Sequence, residues 1–366
     1  MARVQFKNIS KYFGEKPALD DITLEIDDKT FVCILGPTGA GKTTLLRTIA
    51  GLEQVDAGHL FFEDQEITDL PLQKRDVSMV FQDFTLYPNL IVFENIASPL
   101  RARKAPRSEI KRQVKEIAEI LKIDHLLERI PRQLSGGEMQ RVAIARAVAK
   151  RPGVYLFDEI LVNLDYKIRE QMRAMLKDLA RELGSTVIYA TPDPLDVLSM
   201  AEKVIVLNEG RIKQYGETFD VYRNPCDSFI GKYFGYPEMN FIEGRLSAGD
   251  SKITFQFEGN DLEVTPMRTQ LEGLLESSVI LGIRPEDIYI ENSLRNTEDF
   301  AVEGTLLLGE VIGSDTILHL ECAAVKMKVF VPEIRLAKPG QRLLLHFGLR
   351  DCHFFNAADS KLICRG

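Results

Sequence analysis

At residues 36–44 the chain reads Gly36-Pro37-Thr38-Gly39-Ala40-Gly41-Lys42-Thr43-Thr44, which matches the pattern G-x-x-x-x-G-K-[ST]. The stretch follows an apolar run, Phe31 to Leu35, and leads into a helical pattern, Thr44 to Ala50. A strand, a glycine-rich loop and a helix in this order bind phosphate, because backbone N–H groups and the helix N-terminus face the anion. An ordinary glycine turn is the alternative, and the strand and helix on either side disfavour it. The stretch therefore predicts an α/β domain that binds a nucleotide.

Two positions of this loop have a defined chemical role. Lys42 supplies a cation to the phosphates, and the hydroxyl of Thr43 can ligate magnesium. Gln82, in the stretch Met79 to Asp83, is predicted to contact both the magnesium ion and the attacking water. Taken alone, a glutamine of this kind is more often a polar loop residue.

A second stretch ends in two adjacent carboxylates. The apolar run Val154 to Phe157 reads as a strand, and Asp158 and Glu159 follow it directly. Such a strand delivers Asp158 to the magnesium shell and Glu159, as general base, to the attacking water. Two acids at a strand end are commonplace, so the prediction depends on the company of the phosphate-binding loop.

Composition limits the classes of protein to which the chain can belong. Its 366 residues, 45% of them hydrophobic, are enough for two cores. The formal net charge of -8 disfavours broad nonspecific binding to nucleic acid. The five cysteines are scattered and lack C-x-x-C spacing, which argues against a disulfide framework or a zinc site and favours a reducing cytosol. No apolar run reaches the about 18 residues of a membrane span, so we expect a soluble chain.

The pattern of the sequence changes once along the chain. Residues 1–235 alternate strand-like runs with helical patterns and read as one P-loop NTPase domain. Residues about 84–150 form an inserted helical lobe in this prediction, because Ser108 to Leu127 has apolar residues at helical spacing. After the glycine-rich stretch 231–237, short alternating runs such as Ile253 to Phe257 predict a small β-barrel or sandwich over residues 236–366.

A third stretch, Leu134-Ser135-Gly136-Gly137-Glu138, reads as a helix start that binds an anion. Ser135 stands at an N-cap position, and Gly136 and Gly137 leave backbone N–H groups open, although a plain capped helix is the alternative. Together with the two earlier stretches it resembles the signature motif of the ABC-transporter ATPase family. The resemblance implies that these residues, Glu138 included, bind the γ-phosphate of ATP held by a second ATPase subunit.

The same resemblance implies further roles, with ATP and Mg²⁺ as cofactors. Phe13 matches the aromatic residue that stacks on adenine, although a core aromatic is the alternative. Asp165 belongs to the loop that crosses the dimer. The segment from Tyr87 to Leu100 looks like the surface that receives a membrane subunit, with ordinary exposed loop residues as the alternative. These features imply a peripheral protein at the cytoplasmic face of the membrane, with two permease subunits, an indirect solute-binding protein and no nucleic acid as partners.

The resemblance extends through the tail and defines a subfamily. Leu281 to Asp287 and Glu238 to Phe241 are similar to the OB-like regulatory (TOBE) barrel of maltose, glycerol-3-phosphate and polyol importer ATPases. Val302 to Gly304, Leu308 to Glu310 and Gly313 to Thr316 resemble paired strands of that barrel. The expected function is ATP hydrolysis that powers uptake of a carbohydrate or polyol such as glycerol.

Several positions depart from the family pattern. The chain reads Asp158 to Asp165 without the proline and serine that the family has, and Glu138 replaces a glutamine. More seriously, Pro192 stands where the family has its switch histidine, and proline has no side-chain donor or acceptor. Thr191 could at most offer a hydroxyl. The stretches Tyr189 to Pro194 and Leu164 to Glu170 resemble importer ATPases that occur as two unlike copies, so we expect a heterodimer in which the chain's own site is degenerate.

Two rival functions remain open from the sequence. A nucleotide-sensing regulatory module with vestigial hydrolysis is one, and the retained Glu159 argues against it. An ABC protein that acts on DNA or ribosomes is the other, and the acidic balance disfavours it.

Overall fold

The computed structural model describes residues 3–162, 164–249, 252–290 and 299–366 and divides the chain into two compact units. The first unit comprises residues 1–219 and the second residues 220–366. Each has its own buried hydrophobic cluster.

The first unit contains strands and helices in mixed order, as the sequence predicts. The strands are β1 (Val4–Phe13), β2 (Lys16–Ile26), β3 (Phe31–Leu35), β4 (Ala57–Phe62), β5 (Gln65–Glu66), β6 (Val77–Val80), β7 (Val154–Asp158), β8 (Thr186–Thr191), β9 (Lys203–Asn208) and β10 (Arg211–Glu217). The helices are α1 (Lys42–Ala50), α2 (Val92–Ala102), α3 (Arg107–Ile120), α4 (Gly136–Ala149), α5 (Tyr166–Leu183), α6 (Pro194–Met200) and α7 (Thr218–Arg223), the last of which crosses into the second unit.

A mainly parallel sheet in the order β10-β9-β3-β8-β7-β6 positions the site. Strands β3, β7 and β8 are buried along their whole length, as expected for strands covered on both faces. The predicted strands Phe31–Leu35 and Val154–Phe157 are confirmed, since β7 adds only Asp158. Because parallel strands end at the same edge of a sheet, the segments after β3, β8 and β7 lie side by side. A separate antiparallel sheet has the order β2-β1-β4-β5.

The inserted helices α2, α3 and α4 pack against one another. Helix α3 is shorter than the predicted pattern over Ser108 to Leu127, because the backbone turns into the left-handed region at Lys122 with φ 56°. Of the apolar residues at helical spacing in this stretch, Ile117 and Leu121 are buried, but Ile120 is 43% exposed. Ile120 is one position off the buried stripe, so it faces away from the core.

Within the described residues, the second unit forms two antiparallel sheets, and its predicted all-β character is confirmed. The orders are β13-β12-β11-β14-β20-β21 and β15-β19-β16-β17-β18. The elements are α8 (Ser228–Tyr233), β11 (Asn240–Ala248), β12 (Ile253–Phe257), β13 (Asn260–Glu263), α9 (Arg268–Leu271), β14 (Ser278–Ile283), β15 (Tyr289–Ile290), β16 (Asp299–Ile312), β17 (Asp315–Cys322), β18 (Val325–Val331), β19 (Arg342–Gly348), β20 (Cys352–Asn356) and β21 (Leu362–Arg365).

The structure assigns residues 220–235 to the second unit, so its division falls earlier than the boundary predicted at residue 235. Arg284, only 2% exposed, is one of the residues that hold residues 220–235 against the strands of the second unit. Its guanidinium donates to the carbonyl of Phe234 at 3.0 Å and to that of Tyr222, and it lies 3.6 Å from the centre of the Tyr222 ring. The change of sequence pattern marks where strands begin, whereas these contacts hold the preceding helical segment on the barrel.

Among the described residues, no helix combines the length and apolar character needed to cross a bilayer. All five cysteines are described and carry free thiols.

We predict that Arg284→Met destabilises the second unit by about 3 kcal/mol, because two buried carbonyls lose their donor. Hydrogen exchange of the most protected amides of residues 240–366 measures this free energy of unfolding. Arg342, whose side chain is 78% exposed, provides the matched control, and Arg342→Met should change stability by less than about 0.5 kcal/mol. Equal effects of the two substitutions would show that Arg284 does not hold residues 220–235.

Candidate nucleotide-binding site

A cavity of about 390 Å³ opens at the carboxyl edge of the parallel sheet in the first unit. It brings together predicted residues from the loop at residues 36–44, from the stretch Met79 to Asp83 and from the stretch that ends at Glu159, together with Phe13. The predicted members of its lining are Phe13, Thr38, Gly39, Gly41, Lys42, Thr43, Thr44, Gln82 and Glu159. Lys16, Pro17 and Ala18, at the start of β2, complete the lining and were not predicted.

The loop at residues 36–44 has the shape of a phosphate cradle. At Gly36 a Cβ atom would lie 2.1 Å from the carbonyl oxygen of Leu207, so no larger residue fits. Gly41 has φ 106° and would place a Cβ atom 2.4 Å from the carbonyl oxygen of Ala18. Glycine is therefore required at both positions for the loop to curl in front of α1. The cradle fits a nucleotide's phosphates, because it ends at a helix N-terminus.

The ammonium of Lys42 sits inside this cradle and is only 3% exposed. It donates to the carbonyl oxygens of Gly36 at 2.8 Å and Pro37 at 3.0 Å and forms an ion pair of 3.0 Å with Glu159 Oε1. These three partners match the three donors of an ammonium. The predicted cation and the predicted general base are therefore in direct contact.

Asp158 and Thr43 form the adjoining part of the site. The Thr43 hydroxyl donates to Asp158 Oδ1 at 2.9 Å, and both residues line a second cavity with Gln82 and Arg47. Burial raises the pKa of the Asp158 carboxyl, and the charge of Glu159 raises it further, whereas the bond from Thr43 opposes the shift. A hydroxyl, a carboxylate and an amide oxygen are the hard oxygen ligands that Mg²⁺ prefers.

Arg47 was missed by the sequence analysis. It lies four residues after Thr43 on α1, and residues at this spacing share one face of a helix. The spacing alone could therefore have placed its positive charge beside the predicted magnesium ligands.

The predicted γ-phosphate clasp, residues 135–138, is not part of either cavity lining. Ser135 caps α4, and its hydroxyl accepts from the Glu138 N–H at 3.4 Å. In return, the N–H and hydroxyl of Ser135 each donate to Glu138 Oε2 at 2.7 Å. These bonds lower the pKa of the Glu138 carboxyl. The carboxylate thus occupies the Ser135 donors that a phosphate would use.

Asp165 also lies outside the cavity linings and has a structural contact of its own. Its side chain caps α5 by accepting from the Ile168 N–H at 3.0 Å. A Cβ atom on Gly137 would lie 3.1 Å from Ile168 Cγ2, so the starts of α4 and α5 adjoin. The clasp and Asp165 therefore lie next to each other, at the adjoining starts of α4 and α5. Asn163, in the altered stretch, lies outside the described residues.

Thr191 cannot replace the histidine that Pro192 displaces. It is fully buried, its hydroxyl donates to Asp196 Oδ2 at 2.6 Å, and that hydroxyl accepts from the Asp193 N–H at 3.1 Å. The one substitute that the sequence suggested is thus already used inside the first unit.

The segment predicted to receive a membrane subunit divides into a surface and a core. Tyr87 and Leu90 are 50% and 41% exposed. Asn95, fully buried, holds their loop by accepting from the Tyr87 N–H at 2.8 Å and donating to the Leu90 carbonyl at 3.0 Å. Ile96 and Leu100 are also buried. Only the loop and the outer face of α2 are therefore available for docking.

Comparisons with known proteins agree with the fold. The ABC transporter family matches residues 19–162, the MalK OB fold domain matches residues 235–288, and the TOBE domain matches residues 281–355. These matches confirm the predicted ABC ATPase fold followed by an OB-like TOBE unit.

Relatives match the chain over most of its length. It is 39% identical to the trehalose/maltose import ATP-binding protein MalK of Thermococcus litoralis, over 99% of this chain and 100% of that protein. It is 38% identical to the oligosaccharides import ATP-binding protein MsmX of Bacillus subtilis, over 98% of each. It is 40% identical to the sn-glycerol-3-phosphate import ATP-binding protein UgpC of Bordetella avium, over 87% of this chain and 86% of that protein.

A solved structure supports the architecture of the first unit. A dimeric ATP-binding cassette in a post-hydrolysis state, bound to ADP and phosphate, is 33% identical, with a TM-score of 0.54. The similarity covers 59% of this chain and 98% of that one.

We predict that Phe13→Ala raises the dissociation constant for ATP about tenfold, because loss of one aromatic–base stack costs on the order of 1–3 kcal/mol. Phe13 is 55% exposed on the cavity wall, so its removal leaves the core intact. Isothermal titration calorimetry of the purified chain measures the constant. The neighbouring Tyr12 is 43% exposed and is not part of the lining, so Tyr12→Ala is the control. Equal affinity of the Phe13 variant and the unmodified chain would exclude stacking on adenine.

Proposed function

The chain belongs to the ABC transporter ATP-binding family, whose import subunits are ATPases coupled to transport, and we propose that it powers uptake of a carbohydrate or polyol as one half of an unlike ATPase pair. The relatives named above are import subunits for sugars and for sn-glycerol-3-phosphate, which supports this class of solute.

In this proposal the cavity holds MgATP. Phe13 contacts the adenine, the loop at residues 36–44 binds the phosphates, and Thr43, Gln82 and Asp158 hold the magnesium ion. Bound Mg²⁺ neutralises charge on the phosphate oxygens. Lys42 exchanges its carbonyl and Glu159 partners for phosphate oxygens, which releases the Glu159 carboxylate to accept a proton from water.

The unlike pair is inferred from a contrast between the chain's own site and its clasp. At the switch position, Pro192 offers no side-chain donor, and the neighbouring Thr191 hydroxyl is bound to Asp196. The clasp, in contrast, keeps its capping serine and both glycines. Such a chain is better suited to complete a partner's site than to run its own, so the partner ATPase supplies the missing histidine.

The remaining partners follow from the family and from the exposed surface. One of the two permease subunits docks on the loop of Tyr87 and Leu90, and a solute-binding protein delivers the solute to the permease pair. The chain then lies at the cytoplasmic face of the membrane without crossing it.

The first test restores the missing side chain. In the purified lone chain we expect slow hydrolysis of ATP, and Pro192→His should raise its kcat at least about tenfold, because one well-placed donor contributes on the order of 10²–10³ in rate. Pro192→Ala is the control, since it removes the proline ring without adding an imidazole. Robust and cooperative hydrolysis by the unmodified lone chain would contradict the degenerate site.

The second test asks which site turns over in the assembly of this chain, its unlike ATPase partner and two permeases in lipid nanodiscs. Ser135→Ala in this chain should lower ATP turnover at least about tenfold, because it removes a γ-phosphate donor from the partner's site. Glu159→Gln in this chain should lower turnover less than about twofold, because its own site contributes little.

Ser108, an exposed residue in the first turn of α3, provides the control Ser108→Ala. The reverse result, in which Glu159→Gln stops turnover and Ser135→Ala does not, would make this chain's own site the productive one. If both variants left solute uptake unchanged, the regulatory-module alternative would be supported instead.

A further inference from the structure

Arg169, on the first turns of α5, joins two loops that flank the predicted general base. Its Nη1 atom lies 3.0 Å from Asp193 Oδ2, and its Nη2 atom donates to the carbonyl oxygens of Val162 at 3.1 Å and Leu164 at 3.4 Å. We call residues 159–162 and 164–165 the base loop and residues 191–193 the switch loop. We propose that Arg169 is a positioning residue that locks these two loops together, so that displacement of one displaces the other. The inference rests on the proposed role of Glu159.

The base loop has a conformation that needs support. Glu159 has φ 49°, in the left-handed region that residues with a side chain rarely adopt. Its N–H donates to the carbonyl of Ala190 at 3.0 Å, and its carbonyl accepts from the Val162 N–H at 3.3 Å, which closes a tight turn. Val162, whose N–H closes this turn, accepts a hydrogen bond from Arg169 at its carbonyl oxygen. The guanidinium therefore fixes the backbone at the end of the turn that begins at the proposed general base.

The switch loop is anchored from the core side. Asp193 Oδ2 is shared by Arg169 and by Arg173, whose Nη2 atom also lies 3.0 Å away. Arg173 is only 4% exposed and contacts Asp196 Oδ1 at 2.7 Å, while Asp196 Oδ2 accepts the Thr191 hydroxyl. These contacts restrict the position of the Asp193 side chain. Arg169 connects Asp193 in turn to the backbone of the base loop.

Only a guanidinium at position 169 can contact both loops at once. One guanidinium reaches a carboxylate with one nitrogen and two carbonyls with another, whereas the single ammonium of lysine cannot span both loops. Arg169 and Asp193 are 26% and 21% exposed, so water competes only partly for their contact.

The decisive variant is Asp193→Asn, because Arg169 links Asp193 to the described part of the base loop. In the full chain with bound ATP, we expect it to accelerate hydrogen–deuterium exchange of the base-loop amides, residues 159–162 and 164–165, at least about fivefold. Arg169→Lys should accelerate exchange in both loops. The control is Arg181→Lys, an exposed position on the same helix, which should leave both loops unchanged. Acceleration confined to residues 190–196 in Asp193→Asn would overturn the coupling.

A second measurement separates positioning from loss of structure. Arg169 does not line the cavity, so Arg169→Lys should keep the dissociation constant for ATP within about twofold. In the Pro192→His background it should lower kcat about tenfold with little change in KM, and combining it with Asp193→Asn should add no further loss. Additive losses would show that the two residues act independently. If the Pro192→His chain hydrolyses no ATP, the proposed function fails while the exchange experiment still decides the coupling.

Discussion

The candidate site depends on the contacts that the buried ammonium of Lys42 makes with Gly36, Pro37 and Glu159. A charge with 3% exposure is stable only when its donors are satisfied, and two loop carbonyls and the Glu159 carboxylate do this. The ion pair joins the loop after β3 to the end of β7, across the strand β8 that lies between them in the sheet. The parallel order of these strands therefore creates a cation, a carboxylate and a phosphate cradle within one cavity. Because β8 pairs in parallel with both β3 and β7, the segment after β8, with Pro192, lies at the same edge of the sheet.

The residues of the sequence motifs lie on two surfaces. The cavity contains the cradle, the proposed magnesium ligands and the proposed general base, but the segment after β8 has a proline and a fully bonded threonine hydroxyl. The clasp keeps its capping serine, although its carboxylate at Glu138 is already bonded to that serine. A phosphate that approaches the clasp must displace this carboxylate. In the proposed ATPase pair, both features make closure depend on what the partner contributes.

Two arginines perform a similar task in the two units. Arg284 holds the helical segment of residues 220–235 on the barrel through backbone carbonyls, and Arg169 holds the base loop in the first unit through backbone carbonyls. In each case a guanidinium satisfies several acceptors at once, which a loop without regular hydrogen bonds needs. Neither role follows from the sequence: Arg284 lies within the stretch Leu281 to Asp287 that resembles the TOBE barrel, but no pattern in that stretch identifies the carbonyls that it contacts.

The sequence by itself determined the α/β fold of the first unit, the all-β tail and most residues that line the cavity. These follow from local pattern: a buried strand, a loop in which Gly36 and Gly41 tolerate no side chain, and a helix must occur in consecutive residues. The tertiary structure alone decided the unit division at residue 219, the bonded state of Thr191, and the contacts of Arg169 with Val162 and Asp193. Those contacts join different structural elements: Thr191 ends β8 and Asp196 lies on α6, and Arg169 on α5 contacts Val162 and Asp193 outside that helix. Their distances depend on how helices pack against the sheet, which no local pattern of residues encodes.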